Sequence, residues 1–224
     1  MDSEPGMNQA TAAARAQIYA LLAAGFGEPS PELVHEWLSG AVAERIRQGF
    51  TSLGIALEPE AGAALEPPVP APDLPTAVAE LTVEYTRLFV GPGHLPCPPY
   101  ESVYRTDAPA LERGLLMGRA AAEVLQAYRQ AGLNLDADYH DLPDHLATEL
   151  EFMYFLCEQE MAVGKSPADV STPGWRKQQS EFLRRHLSQW VPAFLGDLAQ
   201  ATTAPLYQGS AAVLRAFLVA EQVV

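Results

Sequence analysis

Residues 141–163 read DLPDHLATELEFMYFLCEQEMAV, and this stretch points most directly to the fold. Its apolar side chains recur three or four positions apart, the spacing of one face of an α-helix: Leu146, Leu150, Met153 and Leu156. The preceding residues 141–144 combine aspartate and proline, which are typical of a helix start. The stretch therefore predicts a long helix with a buried apolar face.

Helical periodicity also extends through much of the chain on both sides of this stretch. It predicts helices over residues 8–26, 31–39, 41–53, 76–89, 109–131, 174–190, 192–203 and 205–221. For the second helix, Ser30 is the expected N-cap and Pro31 the first helical residue, and Gly40 is expected to end it. No segment shows the alternating pattern of a sheet. We therefore expect an all-α fold, one globular domain over residues 1–224 with about nine to eleven helices.

Two proline-rich segments interrupt the helices. Residues 58–75 hold six prolines, and we expect a surface linker there, without a helix. Residues 90–108 hold four prolines and two glycines, and we expect a loop.

Charge and composition exclude several classes of protein. The 224 residues carry a net charge of -14, which argues against nucleic acid or an anionic membrane as the main partner. The longest mostly apolar stretch, residues 18–26, is shorter than the roughly 20 residues of a membrane span. The acidic N-terminus lacks the pattern of a secretory signal, so we expect a cytoplasmic protein without membrane insertion.

The segment between Gln130 and Gly164 has no lysine or arginine and eight acidic residues. This run has two interpretations. It could attract a cationic ligand, or it could be an ordinary solvated helix face.

Motifs typical of enzymes are absent, and one cluster resembles a metal site. His145 and Glu149 stand one helical turn apart, close in sequence to His140, Asp141 and Asp144. Metal binding, helix capping and ligand recognition all remain open for this cluster. A metal-dependent hydrolase that uses His140, Asp144, His145 and Glu149 is therefore the alternative function.

The segment 84–104, EYTRLFVGPGHLPCPPYESVY, combines aromatic residues with proline and glycine. Prolines restrict the unfolded chain, so such a loop can hold one shape at a small entropic cost. A rigid loop with apolar side chains suits peptide binding. The alternative is that Leu88, Phe89, Tyr100 and Tyr104 only fill the core between helices.

Three blocks of this sequence resemble the TorD/DmsD/NarJ family of molybdoenzyme-specific chaperones. They are Tyr85-x-x-Leu88-Phe89-x-Gly91-Pro92, then residues 99–104 (PYESVY), then residues 143–150 (PDHLATEL). The stretch GPGHLPCPPYESVY over residues 91–104 is similar to chaperones of the type II group, which serve nitrate, selenate, chlorate or hydrocarbon-oxidising enzymes.

The resemblance implies a chaperone without a cofactor of its own, and not an enzyme. Such a protein binds the apo catalytic subunit of a DMSO-reductase-type molybdoenzyme, or its twin-arginine signal peptide, until the molybdopterin cofactor is inserted. The implied partner is that molybdopterin-binding catalytic subunit. The resemblance also implies a monomer, with a helix-swapped dimer as the alternative.

The predicted client-binding site comprises two groups of residues. The loop group is Tyr85, Leu88, Phe89, Gly91, Pro92, Pro99, Tyr100, Glu101, Ser102 and Tyr104, and the helix group is Asp141, Asp144, His145 and Glu149. A twin-arginine leader has a basic end and an apolar stretch, so we expect carboxylates to meet the first and the loop to meet the second. Our hypothesis assigns the basic segment to Asp144 and His145. DmsD-like members carry tryptophans where this chain has Tyr100 and Tyr104, so the client of DmsD is not expected here. A third interpretation is a subunit that stays bound to its oxidoreductase.

Overall fold

The computed structural model describes residues 5–107, 114–134, 141–162 and 174–223. Its helices are α1 Pro5–Phe26, α2 Pro31–Leu38, α3 Ala41–Ser52, α4 Pro59–Ala64, α5 Leu74–Tyr85, α6 Glu101–Tyr104, α7 Arg119–Gln130, α8 Leu146–Ala162, α9 Trp175–Arg185, α10 Leu187–Ala201 and α11 Pro205–Val223. A π-helical turn, Thr86–Val90, continues α5. These ranges contain no strand, and the all-α prediction is confirmed. None of the described helices is long and apolar enough to cross a membrane.

The core forms mainly around α1 and α8, which pack against each other, while α3 and α11 pack on other parts of α1. The apolar residues predicted to face inward are fully buried: Leu146, Leu150, Met153 and Leu156. Tyr19 of α1 and Phe217 of α11 meet edge to face, with ring centroids 4.8 Å apart. The inward face predicted for α8 is therefore confirmed.

The start of α2 has the predicted cap. Ser30 has extended backbone angles, and its side chain accepts a hydrogen bond from the backbone N–H of Leu33 at 3.1 Å. Gly40, at φ +79°, then adopts the left-handed conformation that lets the chain turn into α3.

The prediction that no helix forms within residues 58–75 is wrong, because α4 lies there. Pro59 occupies its first position, where a helix needs no N–H donor, and the next proline comes only after α4 has ended. Ala61 and Leu65 are buried, and α4 packs against α11. At Gly209 of α11, a Cβ atom would lie 2.5 Å from the Ala64 carbonyl oxygen, so glycine permits this close approach.

Two predicted helix boundaries are also wrong. Helix α7 starts at Arg119, because Gly114 and Met117 have positive φ angles that end regular helix before it; residues 108–113 lie outside the described chain. The break between α9 and α10 falls at His186, while Pro192 lies inside α10, where its neighbours Trp190 and Val191 are fully buried. Burial of this helix offsets the main-chain hydrogen bond that proline removes.

The loop predicted over residues 90–108 contains one helical element. Helix α6 forms a single turn there, with Glu101 and Ser102 buried. The prediction of an uninterrupted loop is therefore wrong.

A buried ion pair connects the first helix to the last. The Arg15 guanidinium donates from Nε and Nη2 to the Glu221 carboxylate at 2.7–2.9 Å, and Tyr19 Oη donates to the same carboxylate at 3.2 Å. Arg15 also reaches Glu160 of α8 at 3.3 Å. The Arg15 and Glu221 side chains are only 2% and 4% exposed, so each charge depends on the other for compensation.

Replacing Glu221 tests this pair. Glu221→Leu leaves the buried Arg15 charge with only Glu160, and we expect the free energy of unfolding to fall by about 3 kcal/mol, measured by urea denaturation. Glu181→Leu is the matched control, since it breaks a half-exposed pair with Arg185 and should cost less than about 0.5 kcal/mol. Equal losses in the two variants would contradict a special role for the buried pair.

Candidate functional site

The π-helical turn connects α5 to the loop that starts at Gly91. Gly91 ends this turn at φ +89°, and its N–H donates to the Thr86 carbonyl at 2.8 Å. Leu88 and Phe89 are buried, and the Phe89 ring lies against Tyr85 and Tyr207, with centroids 5.3 and 5.6 Å away. Leu88 and Phe89 therefore fill the core, the alternative that the sequence left open for them.

Main-chain hydrogen bonds attach this loop to the start of α8. Leu146 N–H donates to the Pro99 carbonyl at 2.8 Å, and Glu101 N–H donates to the Asp144 carbonyl at 3.0 Å. Tyr100 and His145 form an isolated antiparallel bridge between these two bonds. The loop group and the helix group of the predicted site thus meet, and we name residues 99–104 and 141–149 together the loop–helix junction.

The loop–helix junction encloses three carboxylates. Glu101, Asp144 and Glu149 all have no exposed surface. Asp144 Oδ2 accepts from Ser102 N–H at 2.8 Å, and Glu149 Oε2 accepts from the Trp190 indole at 3.2 Å. The other oxygens, Asp144 Oδ1 and Glu149 Oε1, have no hydrogen-bond partner among the described residues.

Within the part of the chain that the structure describes, two basic side chains approach one of these carboxylates, Glu101, and none approaches the other two. The Glu101 carboxylate lies 2.9 Å from Nδ1 of His186 and also accepts from Arg105, one helical turn away. The four-residue spacing of Glu101 and Arg105 could have indicated their ion pair from the sequence. His186 and Trp190 could not have been found in this way, because they lie at the start of α10 and within it, more than 80 positions beyond Glu101. These three partners were not part of the predicted site.

Burial changes the protonation of the carboxylates. Removal from water raises the pKa of Glu149 well above its usual value, and the nearby Glu101 charge raises it further. Burial also raises the pKa of Asp144, although the hydrogen bonds from Ser102 oppose this shift. The pKa of His145 is lowered by burial. The loop–helix junction therefore favours a protonated Glu149 and a neutral His145.

The exposed side of the loop–helix junction carries a different carboxylate. Asp141 is 37% exposed, and its Oδ1 accepts from Tyr100 Oη at 3.0 Å. Tyr85, Tyr100 and Tyr104 are half-buried, and Pro92 is exposed. By contrast Asp144 and His145 are buried, so their assignment to a basic client segment stays a prediction that requires the junction to open.

The proposed metal cluster does not assemble in the described part of the chain. His140 lies outside the described residues. Among those that are described, no group of three or more histidine, cysteine, aspartate or glutamate side chains could hold a metal ion.

Comparisons with known proteins agree on one family. The family model described as "Nitrate reductase delta subunit" matches residues 56–196. Over 200 residues the chain is 26% identical to the chaperone protein TorD of Shewanella pealeana, covering 88% of this chain and 83% of that protein. It is 35% identical to the selenate reductase assembly chaperone protein of Thauera selenatis, over 58% of this chain and 64% of that protein.

A third relative covers more of this chain than the second. The perchlorate reductase assembly chaperone protein of Dechloromonas aromatica is 30% identical over 80% of this chain and 75% of its own length. All three relatives are named chaperones, and none is named a hydrolase. The hydrolase alternative is therefore unsupported.

The buried Glu149 predicts a pH dependence of stability. The folded protein keeps a proton on Glu149 that the unfolded chain releases above about pH 4.5, so this stabilising contribution is present below that pH and is lost as the pH rises towards the folded pKa. We expect the free energy of unfolding to fall less between about pH 5 and pH 8 in Glu149→Gln than in the wild type, as measured by urea denaturation.

Glu158→Gln serves as the control for this comparison, because Glu158 is exposed on the same helix. Its pH profile should follow that of the wild type. His145 has the opposite effect: because burial lowers its pKa, the free energy of unfolding falls as the pH falls below about 6.5. His145 is present in all three proteins, so this effect cancels when their profiles are compared. Parallel profiles for Glu149→Gln and the wild type would show that Glu149 is ionised in the folded chain.

Proposed function

The chain belongs to the nitrate reductase delta subunit family, and from that membership we propose that it is an assembly chaperone for the catalytic subunit of a molybdenum-containing oxidoreductase. The observation that carries this proposal is the range of the family match. Residues 56–196 include the π-helical turn, the whole loop–helix junction, and its partners His186 and Trp190. The names of the three relatives, each a chaperone, support the same function.

The client segment that we propose is the twin-arginine leader of the catalytic subunit, bound in the cytoplasm. Such a leader combines a basic end with an apolar stretch. The chain offers Asp141 beside the half-buried rings of Tyr85 and Tyr100, and its net charge of -14 attracts a basic segment from a distance. Exposed groups of this kind contribute modestly one by one, which suits a chaperone that must release its client.

The predicted site residues divide by burial into two proposed roles. Tyr85, Pro92, Tyr100, Tyr104 and Asp141 are exposed or half-buried and would contact the client directly. The buried members would hold the loop in place on α8, and those are Leu88, Phe89, Pro99, Glu101, Ser102, Asp144, His145 and Glu149. Gly91 provides the turn between the two sets.

Affinity purification tests the function. The tagged chain would be recovered from its own host during anaerobic respiration, and co-purified proteins identified by mass spectrometry. We expect one molybdopterin-binding catalytic subunit, recovered in its cofactor-free form. Recovery of the mature, cofactor-loaded enzyme with the chain attached would instead favour a permanent subunit, and the absence of any such subunit would contradict both functions.

Asp141 and Tyr100 allow a matched test of client recognition. With the recovered catalytic subunit as ligand, Asp141→Asn should weaken binding about two- to fivefold and reduce its salt dependence, because an exposed charge pair is lost. Tyr100→Phe removes only the hydroxyl that donates to Asp141 Oδ1 and leaves the negative charge of the carboxylate in place, so it should not weaken binding through charge. Titration calorimetry at low and high salt measures both, and an unchanged affinity in Asp141→Asn would remove this residue from the site.

A further inference from the structure

A concave surface lies along α5 before Tyr85, outside the predicted site. This groove has a volume of about 640 Å³, in the range of pockets that hold small ligands or short peptide segments. We name it the α5 groove, and its lining comes from Trp37 and three stretches of chain: residues 68–72, Ala77 to Glu84 of α5, and residues 203–205.

The lining of the α5 groove is apolar with one acidic edge. Its charged members are Glu80 and Glu84, and no lysine or arginine of the described residues lines it. Glu84 is already bound by Arg87 at 2.7–2.8 Å and by the Thr202 hydroxyl. Glu80 is exposed and has no ion-pair or hydrogen-bond partner among the described residues. The described lining therefore offers a free carboxylate to a cationic occupant and no free cation to an anionic one.

The proline-rich wall of the groove favours an occupant that donates hydrogen bonds. Pro68, Pro70 and Pro72 have no N–H, so over residues 68–72 the backbone has five carbonyl acceptors and only two donors, at Val69 and Ala71. The described backbone N–H groups make no hydrogen bond to a carbonyl of this stretch. A peptide in extended form brings N–H donors, and an arginine brings five more.

Trp37 adds an unsatisfied donor to the groove lining. Its side chain is buried, and the indole Nε1–H has no acceptor among the described residues. Buried indole N–H groups usually find a partner, and this one becomes available to a carbonyl of an occupant when the groove lining moves to expose it.

We propose that the α5 groove binds an extended client segment in which small apolar side chains follow a basic residue. This inference rests on the proposed function and adds a second contact region to it. Helix α5 connects the two regions, because Leu81 lines the groove and Tyr85, one helical turn further along the same face, belongs to the loop group. One client segment can therefore bind along α5 in contact with both.

A synthetic peptide provides the probe for this site. It is a fluorescein-labelled ten-residue peptide with two arginines followed by alternating leucine and alanine, and its control has glutamates in place of the arginines. Binding is followed by fluorescence anisotropy, and by the ¹⁵N-indole signal of Trp37, assigned through Trp37→Phe. We expect the arginine peptide to bind and to shift the Trp37 signal while the Trp175 signal stays in place, and we expect the glutamate peptide to bind at least fivefold more weakly.

Two substitutions on exposed groove residues locate the probe. Glu80→Lys reverses the free charge and should weaken binding about five- to tenfold at low salt, and Ala71→Trp should block the proline-rich wall with at least the same effect. Glu158→Lys is the matched control, since it also reverses an exposed glutamate within a helix, and it should leave the affinity unchanged. Circular dichroism and urea denaturation check that all three variants fold.

The outcomes separate the groove from the function. Equal affinity of the wild type, Glu80→Lys and Ala71→Trp would overturn the groove proposal, as would a wild type that does not bind the arginine peptide. If the tagged wild type still recovers its catalytic subunit in that case, the chaperone function stands without the groove. Failure to recover any catalytic subunit would instead overturn the function.

Discussion

The arrangement of the candidate site depends on the double use of Asp144. Its backbone carbonyl accepts from Glu101 N–H and its carboxylate accepts from Ser102 N–H, so one residue at the start of α8 binds two successive amides of α6. Because Asp144 is fully buried, no water competes for these bonds. Helix α6, with Tyr100 just before it and Tyr104 at its end, is held against the start of α8 by this attachment.

Protonation of one member explains why the buried acidic cluster is tolerated. Three buried carboxylates would repel one another if all were charged, yet among the described residues only Arg105 and His186 approach them, both at Glu101. Protonation of Glu149 relieves this repulsion. The hydrogen bond that the Trp190 indole donates to Glu149 also connects α10 to α8. The cost of burying these groups is offset by the apolar packing of α8 around them.

Local signals predicted most of the fold, and distant contacts decided the rest. The Ser30 cap, the Gly40 turn and the apolar face of α8 depend on neighbours within a few positions, and all were predicted. Helix α4 starts at Pro59, a local signal, but its close packing against α11 depends on Gly209, which no pattern near α4 shows. In the site, the two groups of residues could be named from the sequence, but their burial could not, because it depends on His186 and Trp190 far along the chain.

The π-helical turn has a consequence for how this surface can vary. A π-helical turn amounts to one residue inserted into an α-helix, so the point at which the chain leaves Thr86–Val90 is rotated by about 100° relative to an uninterrupted α5. The π-helical turn thus determines the direction in which Gly91 and Pro92 leave the helix. Gain or loss of a single residue in α5 would redirect the first part of the loop, between Gly91 and the attachment to α8, while leaving the sequence of the loop intact.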